Sequence, residues 1–138
     1  GGINLDWGGG RYDIGSKYLE SAGITNLVYD PFKRSEEHNE SVLKACKEMK
    51  GADSGTICNV LNVIPNKPDR IKAIKEVLSH LKYKAHLVIQ VYEKNKHGVM
   101  EKTRDGYQLN QPLAFYKTEL EEAGYSVTKK QDVLIIQK

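Results

Sequence analysis

Leu5-Asp6-Trp7-Gly8-Gly9-Gly10-Arg11-Tyr12-Asp13 joins a short apolar stretch to an amphipathic one, and a second acid, Asp30, closes the next apolar stretch, Leu27-Val28-Tyr29. Ile3 to Asp6 reads as a strand running into a glycine-rich turn. Residues 12–22 place Ile14, Tyr18, Leu19 and Ala22 on one helical face, with Gly23 as the stop. Glycines let the backbone turn sharply and approach a ligand closely. A carboxylate at the end of the second strand can accept hydrogen bonds from both hydroxyls of a ribose. The constellation predicts a ligand containing a nucleoside.

Strand and helix keep alternating beyond Asp30, the pattern of an open, mostly parallel sheet. Ser35 can cap a helix in which Val42, Leu43, Cys46 and Met49 share a stripe and which Gly51 ends. A buried strand is expected from Thr56 to Leu61. Pro68 then opens a helix with Ile71, Ile74, Leu78 and Leu81 on one face. Its basic residues Arg70, Lys72 and Lys75, with Lys82 beyond them, read as a solvated face. A strand over Ala85 to Tyr92 is followed by a long polar connection, residues 93–111. A helix carrying Leu113, Tyr116, Leu120 and Ala123 stops at Gly124, and short strands at Ser126 to Thr128 and Val133 to Ile136 form a closing hairpin.

Three ligand classes compete for the first turn. A dinucleotide site wants G-x-G-x-x-G, but Asp13 takes the third glycine's place and would face a pyrophosphate at the helix N-terminus. A phosphate-binding P-loop wants G-x-x-x-x-G-K-[ST]; Gly10 to Lys17 comes near, with Ser16 and Lys17 in the wrong order and Asp13 inside the cradle. S-adenosylmethionine (SAM) has no phosphate and carries a sulfonium and an ammonium, so it is compatible with carboxylates at Asp6 and Asp13.

Asp6-x-Gly8-x-Gly10 followed by Asp30-Pro31 resembles the SAM-binding signature of class I methyltransferases, and Asn59-Val60-Leu61-Asn62-Val63-Ile64 resembles the motif after their fourth strand. A narrower resemblance, to methyltransferases associated with DNA phosphorothioation and related phage or bacterial proteins, rests on Val60-Leu61-Asn62-Val63-Ile64 and on Thr103-Arg104-Asp105-Gly106-Tyr107-Gln108.

The resemblance implies a Rossmann-like doubly wound α/β sheet, mostly parallel with an antiparallel C-terminal strand. It implies SAM as cofactor, with S-adenosylhomocysteine as product. Asp6, Trp7, Gly8, Gly9, Gly10, Asp13, Asp30, Phe32, Asn59, Val60 and Leu61 would surround the cofactor: the glycines under it, Asp30 on the ribose and Phe32 near the adenine. Asn59, Asn62, Tyr107 and Gln108 would position the acceptor. Between Met49 and Thr56 there is no room for the family's third strand and its helix. The expected order is therefore 2-1-4-5-7-6 in family nomenclature, with adenine contacts moved to Gly51 to Ser54.

Composition sets few limits. The 138 residues have 39% hydrophobic and 28% charged side chains, ordinary for one globular domain spanning residues 1–138, and a net charge of +3. Gly1-Gly2 runs into the first strand without an initiating Met, compatible with a shortened N-terminus. No apolar run approaches the roughly 20 residues of a membrane span, and a cytoplasmic location is expected. Cys46 and Cys58 are too few for a disulfide framework, and Cys58 reads as a core residue. His38, His80, His86 and His97 are scattered, so no metal site is expected.

The acceptor is less defined. The D/N-P-P-Y/F motif of enzymes that methylate exocyclic amino groups is absent, which argues against adenine-N6 or cytosine-N4 acceptors. Residues 93–111 follow a parallel strand's carboxyl end and are basic, so they read as an acceptor-side lid. Lys94, Lys96, Lys102 and Arg104 could neutralise phosphates, Tyr92 and Tyr107 could stack on bases, and Gln108 and Asn110 could read a base edge. This slightly favours nucleic acid. A small-molecule methyltransferase and a SAM-binding module without catalysis are the alternatives.

Overall fold

The structure, a computed structural model, describes residues 2–9, 19–91, 99–103 and 106–138, with side chains 99–103 and 106–110 excepted. Its strands are β1 (Ile3–Trp7), β2 (Thr25–Tyr29), β3 (Ala52–Cys58), β4 (Leu81–Gln90), β5 (Val99–Thr103), β6 (Gly106–Asn110), β7 (Val127–Lys130) and β8 (Val133–Gln137). Its helices are α1 (Glu36–Glu48), α2 (Lys67–Ser79) and α3 (Leu113–Glu122), with a 3-10 turn at Leu61–Val63.

Local sequence accounts for most of the boundaries. Ser35 caps α1, its Oγ accepting from the His38 amide at 3.1 Å, and Asn66 caps α2 by accepting from the Asp69 amide at 3.0 Å. Gly51, at φ +109, takes the left-handed turn that ends α1, and its amide donates to Cys46 O at 2.8 Å. Residues 19–21 are helical and end at Gly23, φ +82.

The main sheet has six strands in the order β2-β1-β3-β4-β8-β7. β2, β1, β3 and β4 are parallel, while β8 runs antiparallel between β4 and β7. This is the order expected for a sheet lacking the family's third strand, and β2 is left as an edge among the described residues. Val28 O on that strand bonds to His38 Nε2 of α1 at 2.7 Å.

Side-chain alternation divides the sheet into two unlike faces. Leu5, Trp7, Ile57, Leu87, Ile89, Leu134 and Ile136 join one core with Val42 and Cys46 of α1, Ile74 and Val77 of α2, and Tyr116 and Leu120 of α3. The opposite face carries a polar row instead. Ser54 Oγ donates to Asn4 Oδ1 at 2.9 Å, and Asn4 Nδ2 reaches Asn26 Oδ1 at 2.9 Å and Thr56 Oγ1 at 3.0 Å.

Several expectations are corrected. β3 begins at Ala52 and ends at Cys58, because Asp53 holds it at both sides: Oδ2 accepts from the Ile3 amide at 2.9 Å and Oδ1 pairs with Lys82 at 2.7 Å. β4 begins at Leu81 and ends at Gln90, so Leu81 and Lys82 belong to a strand. Arg70 is buried, not solvated. Its guanidinium forks onto Glu119, with Nε to Oε2 at 2.8 Å and NH2 to Oε1 at 2.6 Å, and NH1 donates to Ile64 O at 2.7 Å. The long connection contains β5 and β6, an antiparallel pair in which Lys102 lies opposite Tyr107 and Glu101 opposite Gln108, with β6 beside the Leu61–Val63 turn.

Candidate functional site

The carboxyl ends of β1 and β3 open at the place where the chain leaves in opposite directions along the sheet, the crevice in which open α/β sheets bind ligands. The turn after β1 is tightly confined there. Gly8 is left-handed, φ +76, and its amide donates to Tyr29 O at 2.6 Å. A Cβ on Gly8 would run into Val60 Cγ2, and one on Gly9 would lie 2.6 Å from Asp6 Oδ2 and 2.9 Å from Val28 Cγ1. Glycine is required at both positions because neighbouring strands and the post-β3 loop close in on the backbone.

Asp6 sits beneath this turn on the polar face. Asn26 Nδ2 approaches its Oδ2 at 3.4 Å, and Thr56 also bonds to the carboxylate. Burial raises its pKa above the ordinary 3.8, Asp30's charge adding to the rise and the Asn26, Thr56 and Arg34 interactions opposing it. Burial, with a further contribution from Asp6, also raises the pKa of the Cys58 thiol.

Asp30 stands one strand away and is 5% exposed. Its Oδ1 accepts from the amides of Phe32 at 2.9 Å and Lys33 at 3.0 Å, which fixes the carboxylate plane and the loop together. Asn39 of α1 clamps the same residue from behind: Oδ1 accepts from the Asp30 amide at 3.0 Å and Nδ2 donates to Asp30 O at 2.9 Å. Asn39 was not singled out in the sequence. The signal was a carboxamide three residues before Val42, on the helix's apolar stripe.

Beyond β3, Asn59 takes a left-handed conformation, φ 57, and its amide donates to Gln90 O at 2.8 Å. Leu61 is buried in the core. Asn62 is 2% exposed, and its Oδ1 is buried with no hydrogen-bond partner. A cleft of about 370 Å³ opens beside Asn59, bounded by Gln90, Val91, Leu113, Lys129, Gln131 and Asp132. The residues from Gln90 and from the β7–β8 turn were also missed, since a hairpin distant in sequence brings them to the strand ends.

The structure thus gathers Asp6, Gly8, Gly9, Asp30, Asn59, Val60 and Asn62 at the carboxyl ends of adjacent strands. Trp7 packs beside the glycine turn: it alternates onto the helix-covered face with Leu5, stacks on Tyr29 at 4.1 Å and is buried. The Gly51 to Ser54 segment is a correction, because parallel register sets Ser54 beside Asn4, at the amino ends of the strands and away from the turn. Phe32 is 92% exposed and forms an open ring beside Asp30. Gly10, Asp13, Tyr92, Lys94, Lys96 and Arg104 lie outside the described residues, as do the side chains of Lys102, Tyr107, Gln108 and Asn110. Among the described residues no group of three or more His, Cys, Asp or Glu could hold a metal ion, and no helix is long and apolar enough to cross a membrane.

No protein-family model matches the sequence, and no curated protein matches it. Solved structures do match. A SAM-dependent methyltransferase from Methanosarcina mazei superposes with a TM-score of 0.68 over 99% of this chain and 92% of its own, at 16% identity. The 1,6-didemethyltoxoflavin-N1-methyltransferase of Burkholderia thailandensis, with bound 1,6-didemethyltoxoflavin and S-adenosylhomocysteine, gives a TM-score of 0.68 over 99% and 71%, at 13% identity. The chain has the fold of SAM-dependent methyltransferases. It spans 48% of another of them, the mitomycin 7-O-methyltransferase MmcR, which it matches with a TM-score of 0.61 over 98% of this chain at 15% identity. None of these comparisons carries the narrower resemblance to phosphorothioation-associated proteins.

Proposed function

We propose that the chain binds SAM across the carboxyl ends of β1 and β2 and serves methyl transfer to a small polar acceptor in the cleft between Asn59 and Asp132. The observation that carries the cofactor reading is the glycine turn between two carboxylates. Gly8 and Gly9 leave no space for side chains, while Asp6 and Asp30 flank the backbone with negative charge. Such a surface suits a cationic nucleoside and repels a pyrophosphate.

The residues fit this ligand. Asp30 accepts from the ribose hydroxyls, with its plane set by the Phe32 and Lys33 amides. Asp6 faces the positively charged methionine portion. The unpartnered Oδ1 of Asn62 is an acceptor awaiting a donor, which an amino or hydroxyl group of the cofactor or acceptor supplies. When bound, SAM contributes an electrophilic methyl group on its sulfonium. The chain's own work is then alignment of the acceptor and exclusion of water.

The cleft favours a small acceptor by its size and by its polar rim of Asn59, Gln90, Lys129, Gln131 and Asp132. The didemethyltoxoflavin enzyme's small acceptor supports the same choice. A nucleic-acid acceptor held by Lys94, Lys96, Lys102 and Arg104 is the competing proposal.

Calorimetric titration of the chain with SAM, S-adenosylhomocysteine and NAD tests the reading. SAM and its product should bind in the micromolar range or tighter, and NAD should not. Binding of NAD, or of neither SAM nor its product, overturns it.

A further inference from the structure

At the opposite rim, where the strands begin, the last turn of α1 and the junction of α2 with β4 enclose a groove of about 650 Å³. Among the described residues its walls carry Lys44, Lys47, Lys50, Lys82 and Lys138, with the Asp53 carboxylate adjoining Lys82. Lys82 is paired with Asp53 at 2.7 Å and Lys138 Nζ donates to Leu81 O at 2.7 Å. Among the described residues Lys44, Lys47 and Lys50 have neither an ion pair nor a hydrogen bond to their ammonium groups. The floor is apolar, formed by the buried Cys46 and Leu81. Gly51 makes this floor possible, since a Cβ there would lie 2.7 Å from Lys82 N.

Tyr83 completes one wall. It is 80% exposed although it belongs to a strand, and the Lys84 ammonium lies 5.9 Å from its ring centroid. Compensation of the negative end of a helix accounts for a lysine such as Lys47 in the last turn of α1. It does not account for Lys44 and Lys50 beside it, or for an uncovered aromatic ring on the facing element.

We propose that this groove docks single-stranded nucleic acid, with phosphates on Lys44, Lys47 and Lys50 and one base stacked on Tyr83. Lysines on long stems suit a row of phosphates better than they suit a single planar carboxylate, which calls for the fork of an arginine. Lys44 and Lys47 leave one helical face about 4.5 Å apart along the axis, so their ammonium groups follow a strand rather than converge on one point. An exposed ring beside such a basic track is the arrangement that binds unpaired bases without sequence preference. The groove shares no lining residue with the cleft beside Asn59. It would hold the protein on a polyanion whatever the acceptor.

The test is fluorescence anisotropy of labelled oligo-dT and oligo-U 12-mers with the full chain at rising salt. The parent should bind at low salt. Lys44→Ala/Lys47→Ala should flatten the log–log salt slope by about 0.7 per lost contact, and Tyr83→Ala should weaken binding about tenfold with little change in slope. Lys72→Ala/Lys75→Ala, equal in charge but on α2, should leave binding unchanged. Absence of binding by the parent overturns the proposal. So does binding lost in Lys102→Ala/Arg104→Ala but kept in the groove variants. Preferential binding of polyglutamate, indifferent to Tyr83→Ala, also overturns it by identifying an acidic segment as the occupant. SAM titration of every variant separates these outcomes from failure of the methyltransferase reading.

Discussion

The Asp6 carboxylate is wedged against Gly9: a methyl group on that glycine would stand 2.6 Å from Asp6 Oδ2. Gly9→Ala should therefore turn the carboxylate or lift the loop. SAM affinity should fall about tenfold, equivalent to about 1.4 kcal/mol, with the circular dichroism spectrum unchanged. Gly8→Val should abolish binding, since it meets Val60 and also forces a branched residue into a left-handed conformation, costing about 1–2 kcal/mol. Loss of secondary structure in both variants would transfer the role of these glycines from the ligand to the fold.

Burial of Asp6 also sets the expected sign of a pH dependence in the free protein. Burial raises its pKa in the folded state above the ordinary 3.8. The stability linked to this group is therefore fully present below the unfolded value and is lost as pH rises through the folded one. Asp6→Asn should remove that loss. Thermal unfolding of the variant should show a smaller drop between pH 4 and pH 7 than the parent, while SAM binding weakens because the negative charge is gone. Parallel pH profiles would show that Asp6 titrates normally.

The buried fork of Arg70 and Glu119 makes a separate prediction about stability. Glu119→Leu leaves a guanidinium stranded in the core and should cost about 3–5 kcal/mol, whereas Arg70→Met/Glu119→Leu should recover most of this. Urea denaturation of the two variants and the parent measures both. A double variant as unstable as the single one would mean that the Ile64 O contact, not the ion pair, carries the arrangement.

That pair also shows where reading the sequence stops. Arg70 and Glu119 lie 49 positions apart, so although Arg70 falls four residues before Ile74 on the buried stripe of α2, nothing local names the carboxylate that makes its burial tolerable. The start of β3 was hidden in a similar way. Ala52-Asp53-Ser54-Gly55 has turn-forming composition, but Asp53 is anchored to both neighbouring strands. Gly55 lies under Leu81 and Leu87, where a Cβ would find side-chain carbons at 3.1–3.2 Å. Tertiary contacts override propensity at both places. The turn after β1, Asp30, the caps at Ser35, Gly51 and Gly124, and the sheet order were legible because each depends on residues adjacent in sequence or on the spacing of whole elements. The cleft was not, since the β7–β8 turn reaches Asn59 only through the antiparallel return of β8.

Asn62 should show the opposite relation between stability and function. Its Oδ1 is buried without a partner, a condition that costs about 1–3 kcal/mol. Asn62→Leu, which keeps the branched outline of the side chain and removes its polar atoms, should make the free protein more stable by about 1 kcal/mol and weaken SAM binding or slow methyl transfer. Urea denaturation and SAM titration on the same preparation would decide it. A variant that is less stable and binds normally would assign Asn62 to the fold.

Asp30 calls for two substitutions, because its carboxylate serves the loop as well as the proposed ribose contact. Asp30→Ala removes the acceptor for the Phe32 and Lys33 amides, so weakened binding in that variant could come from a displaced loop alone. Asp30→Asn retains a carbonyl oxygen that can accept from both amides, and the clamp from Asn39, which uses only the Asp30 backbone, is untouched. What it removes is the charge. A hydrogen bond to a charged group contributes about 1.5–3 kcal/mol, so SAM affinity should fall about 10- to 150-fold in Asp30→Asn, with the α1 helix and the loop intact by hydrogen exchange. Methylthioadenosine, which keeps the ribose and lacks the amino acid portion, should lose affinity by a similar factor. If Asp30→Ala weakens both ligands while Asp30→Asn weakens neither, Asp30 orders the loop and the ribose is held by another group.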